Sequence, residues 1–80
     1  MKIYDYDGAK NISGERIRQA RVTQRLTQGD LAARMQLNGV QIEREAISKI
    51  ESGARFVADY ELVHFSKVLG VAINWLVGEE

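Results

Sequence analysis

The sequence predicts an all-α fold, a compact bundle of five helices, on three observations. Apolar residues recur at helical spacing over five segments, about 13–25, 27–35, 43–52, 59–69 and 73–77. Helix-start and helix-stop residues stand at their boundaries, with Thr27 opening one segment and Gly53 and Gly70 closing two others. No stretch carries enough apolar alternation to argue for a strand. At 80 residues the chain is one domain, near the lower size at which a chain builds its own core.

Residues 1–11 read as a flexible N-terminal arm, followed by a helical domain over 12–78. Ile3, Tyr4 and Tyr6 alternate weakly before Asp7-Gly8 breaks the pattern, so a short extended piece with the tyrosines packed back on the core is the other reading. The first helix starts near 11–13, where Asn11 or Ser13 can cap it, and runs to about Arg25. Its inner face holds Ile17, Ala20 and the stem of Arg21, with Val22 beside it and Arg16, Arg18 and Arg25 outside. Leu26 closes the loop before the second helix.

Thr27 caps the second helix, and Asp30 three residues on gives a shortened capping box. Leu31, Ala32 and Met35 share one face. After a break at Asn38-Gly39, the third helix turns Ile47 and Ile50 inward and carries Arg44, Ser48 and Lys49 elsewhere. In the fourth helix, which begins at Asp59, Leu62, Phe65, Val68 and Leu69 repeat at helical spacing. The short fifth helix offers Trp75, Leu76 and Val77, which complete the core or serve a partner.

Composition excludes several function classes. Without cysteine there is no disulfide framework and no thiolate metal site. The one histidine, His64, has too few companions for a three-ligand metal site and reads as a surface or edge-of-core residue. No serine lies in a nucleophile-elbow pattern and no phosphate-loop glycine pattern occurs, so neither an enzyme nor a cofactor is expected. No window holds the run of about 20 apolar residues that a membrane span needs, and the N-terminus lacks the apolar centre of a signal peptide, so a cytoplasmic protein is expected.

Net charge is zero, but the charges are polarised. Residues 15–55 carry eight Arg and Lys against five acids, whereas residues 56–80 carry Lys67 against four. The basic half contains a helix, a break and a second helix bearing polar and basic side chains, which is the layout of a helix-turn-helix DNA reader. Thr27 and Gln28 admit two readings there: a plain helix start, or a phosphate clamp made from unpartnered helix-start amides.

The runs LTQGDLAARM, AISKIESGAR and ELVHFSKVLGVAINWLVG resemble the phage-repressor and Cro-like helix-turn-helix proteins of the xenobiotic-response-element (XRE) family. The likeness spans about 12–78 and several helices in order. It implies a lambda-repressor-like domain of five helices that binds double-stranded DNA as a transcriptional regulator, typically a repressor and a homodimer, in a bacterial or phage setting. By position it implies base contacts from Arg44, Glu45, Ser48 and Lys49, and backbone contacts from Thr27, Gln28 and Arg55. It further implies a structural ion pair between Arg21 and Glu51.

One departure stands out. The family spaces the Leu of its Leu-Ala eleven residues before the Ile of its Ile-Ser, whereas Leu31 and Ile47 are sixteen apart. About five residues are therefore inserted within 36–41, giving an extended connection between the second and third helices. Asn38-Gly39 favours a tight turn with positive φ, and Val40 or Ile42 is placed to fill the pocket of the usual turn residue.

Out of context, Arg44 and Lys49 read as a solvated face; within this framework they read as DNA contacts. Arg44 suits guanine O6 and N7, Lys49 suits guanine or a phosphate, and Glu45 suits a cytosine amino group or a neighbouring cation. A second class of function stays open, a protein-interaction module such as an antitoxin-like or regulatory partner, because Glu43, Glu45 and the acidic end of the chain accommodate it.

Overall fold

A computed structural model describes residues 6–79. Five helices follow in order: α1 Gly14–Thr23, α2 Gln28–Leu37, α3 Arg44–Glu51, α4 Asp59–Leu69 and α5 Ile73–Leu76. Among the described residues there is no strand, only an isolated bridge between Tyr6 and Ala9. The fold class is the expected one.

The core forms where the helices' apolar faces converge: Ile17 and Ala20 from α1, Leu31, Ala32 and Met35 from α2, Ile47 and Ile50 from α3, Phe65 and Leu69 from α4, and Leu76 from α5. Burying these side chains supplies the main driving force, at roughly 1.5–3 kcal/mol for each large one. The α2–α3 contact is the most extensive between helices, and α1 and α4 close the bundle around it.

The helix ends explain where local sequence decides the fold. Thr27 and Asp30 form the reciprocal capping box: the Thr27 hydroxyl accepts from the Asp30 amide at 3.0 Å, and the Asp30 carboxylate accepts from the Thr27 amide at 3.0 Å. These bonds hold the Asp30 carboxyl below its ordinary value, the amide bond from Thr27 contributing most.

The connection between α2 and α3 is well built. α2 ends in a Schellman motif, with the Val40 amide bonded to Met35 O at 3.0 Å and the Gly39 amide to Gln36 O at 2.9 Å. Gly39 supplies the φ of 88° that this closure requires. Both candidate apolar residues then turn inward, Val40 and Ile42 being buried, and the Gln36 amide holds Ile42 O at 2.9 Å. Leu37, the last residue of α2, is exposed.

Three expectations need correction. α1 stops at Thr23, because Arg25 takes a left-handed φ of 60° and the Leu26 amide bonds back to Arg21 O. Arginine at that position gives no stop signal in the sequence. Val22 is half exposed, since it lies two residues, about 200°, beyond Ala20 on a 3.6-residue helix. Arg16 leaves the outer face: its guanidinium lies 4.9 Å from the Trp75 ring centroid and donates to Trp75 O at 3.1 Å. Trp75 is accordingly half-buried against α1, and Val77, its neighbour beyond the fully buried Leu76, lines a cleft of mixed polarity with Phe56.

The N-terminal segment, over its described part, is a two-residue turn at Asp7-Gly8 closed by Tyr6 and Ala9, with the Lys10 amide bonded to Gly53 O at 2.8 Å. Tyr6 is exposed there. Ile3 and Tyr4 lie outside the described residues.

Candidate nucleic-acid interface

α3 is eight residues long and sharply two-sided. Ile47, Ile50 and Glu51 face inward, whereas Arg44, Glu45, Ser48 and Lys49 are all exposed. Arg44 and Ser48 are four residues apart, as are Glu45 and Lys49, so the four side chains form two adjacent rows on one helix surface. Arg44 and Glu45 approach to 3.7 Å with both side chains well solvated, a contact of little energetic weight. The face is therefore free to engage a ligand without first breaking a strong internal bond.

The inner side of α3 is anchored through a charge. Glu51 is buried, and the Arg21 guanidinium grips it with Nε at 2.6 Å from one oxygen and Nη2 at 3.0 Å from the other. Arg21 also donates to Leu26 O at 2.7 Å, and the Gln28 amide nitrogen donates to Glu51 at 3.0 Å. One carboxylate thus ties α1, the start of α2 and the end of α3 together. The pair implied by the resemblance is present, and Gln28 is an unforeseen third member.

At the start of α2, the Thr27 hydroxyl is occupied by its cap. Gln28 spends one amide hydrogen on Glu51, which leaves a second on the same nitrogen, and the first helical amides have no intrahelical acceptor. A cleft of about 350 Å³ opens there, lined by Glu15, Arg18, Gln28, Ser48, Glu51 and Ser52. On the other side of α3 lies an open groove of about 550 Å³, lined by Glu43, Glu45, Ala46, Lys49, Ala54 and Arg55. The exposed face of α3 is thus flanked by two concavities, each of mixed charge.

Arg55 sits differently from an unpaired loop cation. Its two terminal nitrogens each lie 3.0 Å from an oxygen of Glu61, and one of them donates to Phe56 O at 2.8 Å. Burial pushes the Glu61 carboxyl up, but hydrogen bonds from Arg55 and from the Ala58 amide outweigh it, so the net position is below the ordinary value. The same bond raises Arg55. Nothing in the sequence pairs these two: they are six residues apart, and no hydroxyl residue precedes α4 to advertise a capping role for Glu61.

His64 is half-buried on α4. Among the described residues no group of His, Cys, Asp or Glu is arranged to hold a metal ion, and no helix is long and apolar enough to cross a membrane.

Compared with known proteins, the chain matches no protein-family model and no curated protein.

Proposed function

We propose that this protein is a sequence-specific DNA-binding regulator, of repressor type, that reads the major groove with α3. The observation that carries the reading is the two-sidedness of that helix: Arg44, Glu45, Ser48 and Lys49 project together into solvent while Ile47, Ile50 and the Arg21–Glu51 pair hold the opposite side rigid. A groove about 12 Å wide admits one helix, and Arg is the side chain best suited to grip guanine by two bonds. Specificity needs such contacts to be presented on a stiff element.

In this reading α2, the connection and α3 act as the helix-turn-helix. Gln28, through its remaining amide hydrogen, and the solvated start of α2 beside Thr27 meet one phosphate, and Arg55 meets another while it stays braced on Glu61. The resemblance of the α2, α3 and α4–α5 runs to XRE-family sequences supports the same assignment and a cytoplasmic setting. Zero net charge implies few phosphate contacts per chain, so useful affinity relies on a second copy bound to the neighbouring half-site about 34 Å away.

The rival reading, a protein-interaction module, draws on Glu43 and Glu45 beside Lys49 and on the neutralised Arg55. Selection from random duplexes followed by gel shifts at two salt concentrations separates the two. A sequence-selective complex that weakens with salt supports the DNA reader. No complex even at low salt transfers the α3 face to a protein partner.

A further inference from the structure

Asn11 spends its whole side chain at one place. Its carbonyl oxygen accepts from the Gly14 amide at 2.7 Å, opening α1. Its two amide hydrogens go to Ile50 O at 3.0 Å and to Arg55 O at 2.8 Å. Those two carbonyls bracket the turn that ends α3, where the Gly53 amide also bonds to Ile50 O at 3.0 Å and the Ala54 amide to Lys49 O at 2.8 Å. The Lys10 amide takes Gly53 O between them at 2.8 Å, and the closed turn at 6–9 leads the chain into that position.

The backbones of α1 and α3 come unusually near here. A Cβ on Gly14 would fall 2.0 Å from Ile50 O, so only glycine permits the approach. At the other end of α3, Glu43 makes no side-chain cap. Side-chain hydrogen bonds to the backbone of α3 therefore gather at its C-terminal end, while apolar packing against α2 holds its inner face.

We infer that Asn11 is a positioning residue for α3, clasping the end of that helix to the start of α1 and thereby setting where Arg44, Glu45, Ser48 and Lys49 point. This rests on the DNA-reading function proposed above. α3 is about 12 Å long, so a tilt of about 10° at the clasp moves Arg44 by about 2 Å, enough to break a two-bond contact with a base. Asn11 itself touches no DNA in this account, since its donors and acceptor are all engaged within the chain.

The test uses Asn11→Asp in the full chain. Aspartate keeps the acceptor that caps α1 but presents oxygen, not nitrogen, to both carbonyls. Asn11→Ser, with one donor where Asn11 uses two, is the second variant should the first fail to fold. Two readouts are taken: the affinity ratio between selected and random DNA, and hydrogen exchange at the Gly53 and Ala54 amides. The expected result is a drop of about tenfold in the ratio and a rise of about tenfold in exchange at those amides, with the α2 amides unchanged. Wild-type values in both readouts overturn the inference, as does uniform acceleration across all helices, which would make Asn11 merely stabilising. If the wild-type chain selects no DNA, the functional reading fails, and exchange at Gly53 and Ala54 still decides whether Asn11 clasps α3.

Discussion

Replacing Glu51 by alanine is the sharpest perturbation of the scaffold that carries α3. The substitution removes both carboxylate acceptors of the Arg21 guanidinium and the acceptor of the Gln28 amide in one step. The Arg21 side chain is only 12% exposed and the Glu51 side chain 4%, so water replaces the lost partner poorly. Breaking a buried pair by deleting one member costs about 3–5 kcal/mol. Arg21 keeps its bond to Leu26 O and sits near the edge of the bundle, which places the cost at the lower end, about 3 kcal/mol. A domain of this size has roughly 4–12 kcal/mol in total, and each kcal/mol moves its melting temperature by about 4–8 °C. Glu51→Ala is therefore expected to lower the Tm by about 12–24 °C in thermal melts followed by circular dichroism. Arg21→Ala is expected to cost a similar amount, and the double variant clearly less than the sum, because the second deletion removes a charge the first had stranded. DNA affinity is expected to fall only as the folded fraction and the order of α3 fall. An unchanged Tm together with collapsed DNA binding would show that these two side chains contact DNA and do not hold helices, refuting the structural assignment.

Two further outcomes follow from single sites. Because Glu61 has its folded value depressed below the ordinary 4.5, its stabilising contribution is complete above that pH and is lost as pH falls through the depressed value. Melting temperatures of Glu61→Gln are accordingly expected to fall less steeply than wild type from about pH 4.5 downward, and parallel curves would contradict the Arg55–Glu61 pairing. Glycine-to-alanine changes in two helices are expected to have opposite signs by urea denaturation. Gly29→Ala meets nothing closer than 3.8 Å and should stabilise by about 0.4–1 kcal/mol, whereas Gly14→Ala drives a methyl into Ile50 O and should cost about 1–3 kcal/mol despite alanine's better helix propensity.

What the sequence disclosed depended on how local the physics was. The Thr27–Asp30 box and the Asn38-Gly39 turn are decided within a few residues, so their patterns are readable in the chain. The sequence offered Val40 or Ile42 for an inward place, and the structure buries both. The end of α1 was hidden, because an arginine at φ 60° is chosen by the return bond from Leu26 to Arg21 and not by intrinsic preference. Contacts over long sequence separations were hidden more completely. Asn11 reaches residues 50 and 55, Gln28 reaches Glu51, and Arg16 folds over Trp75, and each partner is recognisable only once the helices are packed. At the candidate interface the exposed row on α3 was legible from its periodicity, while the bracing of Arg55 by Glu61 was not.

The central claim is that α3 reads bases through Arg44. Its most direct test is the ratio of affinities for a selected duplex and for random DNA, measured for the wild-type chain and for Arg44→Ala at one salt concentration. The account predicts that Arg44→Ala weakens binding to the selected duplex by about 1–3 kcal/mol, relaxes preference at one base pair, and changes random-sequence binding much less. Equal losses on both duplexes would contradict it, and would leave Arg44 as a phosphate contact with no part in reading sequence.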